Sequence, residues 1–155
     1  MAVICAGLFI ATGWAQELRP LPPHKRILSD EIHALSDAEG VELSRSLQEV
    51  VDSTGILVVM VIAETTRPEP IRDYAERLAL QWAHERTIEP GRSVFVIVAV
   101  SDREMRVLPG RDLRWGAELS ESDVTQDLGP LFRERRYFEA LTKLTARLRA
   151  RITKQ

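Results

Sequence analysis

Two runs of apolar, largely β-branched residues constrain this chain more than anything else in it: Ile56 to Ala63 (ILVVMVIA) and Ser93 to Val100 (SVFVIVAV). Neither alternates with polar residues, so each needs cover on both faces, and each is far shorter than the ~20 residues of a membrane-spanning helix. Strands buried on both faces belong inside a sheet with parallel neighbours, and parallel neighbours need a crossover. The segment between the runs supplies one. Ile71, Tyr74, Ala75, Leu78, Ala79 and Trp82 keep helical spacing with charges between them, which predicts an amphipathic helix to about Arg86. After the second run, Ser101-Asp102-Arg103-Glu104 forms a polar turn into Met105 to Leu108, the antiparallel arm of a hairpin that Pro109-Gly110 ends.

Ahead of the first run, Ser36-Asp37-Ala38-Glu39 reads as a capping box that opens a helix from about Asp37 to Ser53, with apolar residues at Val41, Leu43, Leu47, Val50 and Val51. Gly55 stops it. Beyond the hairpin the pattern predicts a polar loop and two further helices, near Asp123 to Phe132 and Phe138 to Ile152. The resulting fold class is α/β, a three-layer αβα sandwich with a small mixed β-sheet. With 155 residues, 45% of them hydrophobic and 28% charged, the chain can bury a real core, and one domain is the expectation.

The two ends carry the signals for location. The first fifteen residues hold no charged side chain and finish in Gly13-Trp14-Ala15, a small-x-small pattern of the kind cut by signal peptidase. Residues 1–15 are read as a signal peptide, with a short uncleaved membrane anchor as the alternative, since Glu17 and Arg19 close the run before it can span a bilayer. A periplasmic or secreted location follows, with no transmembrane helix in the mature chain. The sole cysteine, Cys5, falls in this segment, so the mature chain would hold neither a disulfide nor a thiolate metal site. Residues 16–25 (QELRPLPPHK), with three prolines, read as an extended tether to a domain at 26–155. A formal net charge of −2 gives no general attraction to nucleic acid. The basic stretch Arg133 to Arg136 is interrupted by Glu134 and followed by Glu139, and reads as a solvated helix face.

No phosphate-binding glycine loop, dinucleotide fingerprint, nucleophile elbow or zinc-binding H-E-x-x-H is present, and no residue is identified as a catalytic group. His24, His33 and His84 lack a metal-ligand spacing. What remains is carboxylates beside strand ends and turns: Asp30, Asp102, Asp112, Glu121 and Asp123. Ligands of open α/β sheets bind at strand termini, and converging carboxylates suit hard cations, so Asp30, Asp102, Glu121 and Asp123 are the candidate metal ligands and Ca²⁺ or Mg²⁺ the candidate ion. The competing reading is local, because Asp is favoured at turns and helix starts for its hydrogen bonds alone. No organic cofactor is expected.

Several segments also match a family pattern. Asp30, Leu35, Ser36 and Glu39 keep the spacing of an opening V-x-D-x-A-x-x-L-S-x-x-E, with Leu28 and Ile32 in place of the valine and the alanine. Thr54-Gly55 leads into the first apolar strand; Ile71, Tyr74, Ala75, Leu78 and Trp82 fit I-x-x-Y-A-x-x-L-x-x-x-W; Ala99, Asp102 and Arg103 fit A-x-x-D-R. Gly110 and Leu113 fit part of G-x-G-L-E, and Pro130, Phe132, Arg133 and Tyr137 fit P-x-F-R-x-x-x-Y. In order and spacing the chain resembles the TPM domain of thylakoid-lumen and bacterial exported or membrane-attached proteins. It departs from that pattern at Gly91-Arg92, where Asn-Gly is usual, at Asp112 in place of the second glycine, and at Arg114 in place of the glutamate. The resemblance implies an α/β fold and a module that binds another envelope or membrane protein in assembly or quality control. It also implies, as an alternative, a divalent-metal-dependent phosphatase.

If residues 1–15 are an export signal, intact-mass analysis of the exported protein should show a chain beginning at or near Gln16. Cytosolic protein that keeps Met1 is the contrary result.

Overall fold

The computed structural model of the chain describes residues 17–23, 27–85, 88–114 and 121–153, the side chains of 121–125 excepted. The apolar segment 1–15 with Cys5, and His24, lie outside the described residues. Among the described residues four strands and four α-helices follow in order, with a 3-10 turn at Pro90–Arg92 ahead of β3: β1 (Leu28–Asp30), α1 (Asp37–Thr54), β2 (Leu57–Ala63), α2 (Ile71–His84), β3 (Ser93–Ala99), β4 (Glu104–Pro109), α3 (Glu121–Arg133) and α4 (Tyr137–Ile152). The sheet order is β1-β2-β3-β4, with the first two pairings parallel and the last antiparallel.

The two apolar runs form the centre. β2 and β3 pair in register from Leu57↔Ser93 to Ala63↔Ala99. Alternation sends Val58, Met60, Ile62, Val94, Val96 and Val98 to one face, where α1, α3 and α4 cover them with Leu43, Leu47, Leu128, Leu141, Leu144 and Leu148. Val59, Val61, Phe95 and Ile97 point to the other face and meet α2 through Tyr74, Ala75, Leu78 and Trp82. The Trp82 and Phe95 rings pack there with centroids 5.8 Å apart. The mixed αβα architecture expected from the sequence is therefore the one observed.

Local chemistry fixes the ends. The capping box is present: the Ser36 hydroxyl accepts from the Glu39 N–H, and the Glu39 carboxylate accepts from the Ser36 N–H at 2.8 Å. Gly55 closes α1 in the left-handed region, φ 68°, with its N–H on the Val51 carbonyl. The short strand β1 is an addition to the expected order. Three residues are too few to show a period of two, and the strand exists because the exposed edge of β2 accepts it, Leu28 opposite Met60 and Asp30 opposite Ile62. Among the described residues no helix is long and apolar enough to cross a membrane.

Val96 is 0% exposed at the centre of β3. Val96→Ala should cost about 1–2 kcal/mol, through two lost methyl groups and the cavity they leave. Urea denaturation measures it; a change within error would mean that this side chain is not packed as described.

Candidate functional site

Because β1, β2 and β3 run parallel, their carboxyl ends gather at one edge of the sheet. The loop into α1, the loop into α2 and the β3–β4 turn all leave from there. Two of the sequence-predicted carboxylates occupy this edge, each folded into a loop of its own.

Asp30 ends β1. Its Oδ1 accepts from the Ile32 and Ala34 N–H groups at 3.3 and 3.1 Å, and its Oδ2 from the Leu35 N–H at 2.9 Å. The loop curls round the carboxylate through His33, which takes a positive φ of 53°. Asp102 sits in the β3–β4 turn with its side chain 6% exposed. It accepts from the Thr65 hydroxyl at 2.8 Å, the Thr66 N–H at 2.9 Å and Arg67 Nε at 3.1 Å. Arg103 follows with φ 58°, and the turn is tied to the end of β2 by Val100 N–H to Ala63 O and Ser101 N–H to Glu64 O. Asp30 thus pins the loop into α1 and Asp102 the loop into α2, and those helices lie on opposite faces of the sheet. Both carboxylates are turned onto protons. Asp30 accepts from three backbone N–H groups and Asp102 from a hydroxyl, an N–H and a guanidinium, so each carboxylate is engaged by its own loop. Among the described residues no group of three or more His, Cys, Asp or Glu is placed to hold a metal ion. Glu121 and Asp123 stand in the first turn of α3, and their side chains lie outside those described.

Asp112 is at the other end of the molecule. Its N–H bonds the Gly91 carbonyl at 3.0 Å, ahead of β3. A Cβ on Gly91 would meet Asp112 Oδ2 at 2.0 Å, and one on Gly110 would meet the Pro90 and Gly91 carbonyls at 2.3 Å. The carboxylate that replaces the family's second glycine rests against a glycine that makes room for it.

A second polar network, which sequence reasoning missed, joins the site edge to the amino-terminal segment. Arg19 pairs with Glu31 at 2.6 Å and donates to the Thr65 carbonyl at 2.9 Å, so one side chain bridges two loops. Arg77 of α2 forks onto the buried Glu69 at 2.6–3.1 Å and donates to the Arg19 carbonyl at 2.9 Å. Its guanidinium lies 5.6 Å from the Tyr74 ring centre. The Tyr74 hydroxyl is buried and has no hydrogen-bond partner among the described residues. Burial, reinforced by Glu31 and Glu69 against Arg19 and Arg77, pushes it up to about 12. Tyr74 belongs to the helix pattern read above, but no sequence motif marks Arg19, Glu31, Glu69 or Arg77, whose hydrogen-bond partners lie 8 to 58 positions away.

Burial alone would raise the Asp102 carboxyl; the Thr66 N–H, the Thr65 hydroxyl and Arg67 outweigh it and hold the group below the ordinary carboxylate range. A depressed carboxyl contributes stability that is present above its unfolded value, about 3.9, and is lost as pH falls through the lower folded value. Asp102→Asn should therefore cost about 1–3 kcal/mol at pH 7, since its amide turns N–H against Thr66 or Arg67. The difference from the unmutated chain should shrink as pH is lowered below 4 in chemical denaturation. A gap independent of pH would mean that charge at Asp102 is not what holds the loop.

Solved structures of similar fold include the following three. The N-terminal domain of a protein from P. gingivalis superposes with a TM-score of 0.66 at 22% identity, covering 81% of this chain and 80% of that one. The N-terminal domain of the cg2496 protein from Corynebacterium glutamicum gives 0.63 at 11% identity, with 86% of each chain covered. The BA42 protein of the psychrophilic Bizionia argentinensis gives 0.60 at 13% identity, covering 77% of this chain and 82% of that one. At these identities the likeness is one of fold. Among curated proteins none matches the chain. The family model for the TPM domain matches residues 28–151, from the first residue of β1 almost to the end of α4. The chain belongs to the TPM domain family.

Proposed function

We propose that this TPM domain works outside the cytoplasm as a module that binds another protein of the envelope or membrane, in assembly or quality control, and that its carboxylates serve the fold. The observation that supports this best is the state of Asp102. It carries hydrogen bonds from a hydroxyl, a backbone N–H and a guanidinium.

Hydrolysis of a phosphate ester needs a cationic clamp for the developing charge and an activated water or nucleophile. Of the guanidinium groups at this edge, Arg67 gives its Nε to Asp102 and Arg19 is engaged by Glu31 and the Thr65 carbonyl, while the Thr65 hydroxyl donates to the Asp102 carboxylate. That hydroxyl–carboxylate pair has the outline of a nucleophile and base. A base works best with a pKa near the working pH, and Asp102 is held below even the ordinary carboxylate range, so it draws the Thr65 proton weakly. A set of groups that satisfy one another makes rigid loops, and rigid loops suit a docking surface.

The test is hydrolysis of a generic phosphomonoester, run beside thermal melts with Ca²⁺ or Mg²⁺ added to millimolar levels. The expected result is no turnover above background and a Tm unchanged within error. Turnover abolished by Asp102→Asn, or a Tm that rises with the logarithm of cation concentration, would overturn the reading.

A further inference from the structure

We infer that the groove along α2 under residues 19–22 is a recognition site for an extended Arg-Pro-x-Pro segment of a partner protein, and that the chain's own amino-terminal segment fills it when the partner is absent. This deepens the partner-binding reading above and rests on it.

The seated segment shows what the groove recognises. Residues 17–23 form neither helix nor strand, and Pro20, Pro22 and Pro23 have no N–H to satisfy. The groove reads carbonyls instead. Arg77 Nη2 donates to the Arg19 carbonyl at 2.9 Å, and Trp82 Nε1 to the Pro22 carbonyl at 3.1 Å. These acceptors are three residues apart, the spacing at which a polyproline II segment returns to the same side. An indole N–H aimed at a carbonyl of a proline-rich segment is the donor pattern of polyproline recognition. Arginine specificity comes from the fork of Arg19, one nitrogen on Glu31 and the other on the Thr65 carbonyl. Leu21 packs on the α2 face of the core and Pro22 is buried.

The chain's own segment leaves the groove incompletely served. Beside the Arg19–Glu31 and Arg77–Glu69 pairs, the Tyr74 hydroxyl is buried with no partner among the described residues. A buried hydroxyl without an acceptor is unfavourable, so a partner segment that supplied one would hold better. The hold is also modest at its outer end, where the Arg19 and Glu31 side chains are 28% and 21% exposed and Leu18 is half exposed. A segment tethered in cis competes at an effective concentration on the order of millimolar, so it blocks weak binders and yields to a better one.

The experiment uses the full chain and a fluorescent peptide of sequence QELRPLPPHK, read by anisotropy. Arg19→Ala in the chain loosens the resident segment and leaves Glu31, Thr65, Arg77 and Trp82 in place. It should bind the peptide at least tenfold more tightly than the unmutated chain does, while a peptide with alanine for its arginine binds neither, and Arg77→Gln in the chain abolishes binding. A folded Arg19→Ala chain, checked by circular dichroism, that binds no peptide at millimolar concentration overturns the inference. So does equal binding of the alanine peptide, or a concentration-dependent dimer that excludes the peptide. Should Arg19→Ala fail to fold, hydrogen exchange on the unmutated chain decides: millimolar peptide should speed exchange at Leu18, Arg19 and Leu21, and no change overturns the inference. Failure here without phosphomonoester hydrolysis removes this groove alone, whereas hydrolysis that needs Asp102 removes the binding-module reading itself.

Discussion

Everything in this domain follows from the pairing of β2 with β3. Their side chains are buried on both faces over nearly the whole paired length, so neither strand can lie at a wet surface. A layer of helices must therefore stand on each side. α2 alone fills one side, and α1, α3 and α4 share the other. The parallel sense of the pair sends the chain back through a helix after β2 and so delivers the strand ends, with their loops, to one edge. That edge is a consequence of the core before it is anything functional.

Loops at such an edge have backbone N–H groups and no ladder to pair with. Buried donors left unpaired are costly, and a carboxylate accepts several at once. Asp30 and Asp102 each solve this problem for one loop, and Arg19 links the two loops through Glu31 and Thr65. A pair of acidic residues at strand ends is thus ambiguous in a sequence. The same two residues hold a cation if they face each other and hold backbone if they face their own loops. Here each carboxylate accepts hydrogen bonds from its own loop, in which His33 and Arg103 take positive φ.

The helices are readable because each is long and periodic, the central strands because each is an unbroken apolar run bounded by turn residues, and Ser36, Glu39 and Gly55 carry end signals that act over three or four residues. β1 was not readable, since its three residues have meaning only opposite Met60 to Ile62. At the site, Asp30 and Asp102 stood out by position, but their partners did not. Glu69 reads as one more charge in a turn until Arg77 covers it, and Arg19 reads as part of a polar tether until Glu31 and Thr65 are beside it. Such pairs are set by the approach of whole elements and leave no local periodicity. The Gly91–Asp112 contact is the same case in reverse, a departure from the family pattern that becomes a fitted pair once β3 and β4 are side by side.

The three sets of pins at the site edge differ in what depends on them. Asp30 acts over two to five residues and forms with its loop. Asp102 spans 35 to 37 residues, yet it follows from the β2–β3 register, which already brings the turn beside Thr65. Contacts of the amino-terminal segment span 12 to 60 residues, and no strand pairing supports them. Loop-closure entropy grows only with the logarithm of length, so separation alone is not the difference. The difference is that releasing residues 17–22 breaks no sheet hydrogen bond and opens neither face of β2 and β3 beyond Leu21, Pro22 and Trp82. Segments of this kind occupy the low end of a protein's local stability, where they can move while the core stays closed. The part that covers α2 is therefore one whose release leaves every strand pairing intact, next to the edge where Asp102 ties down the loop into that helix.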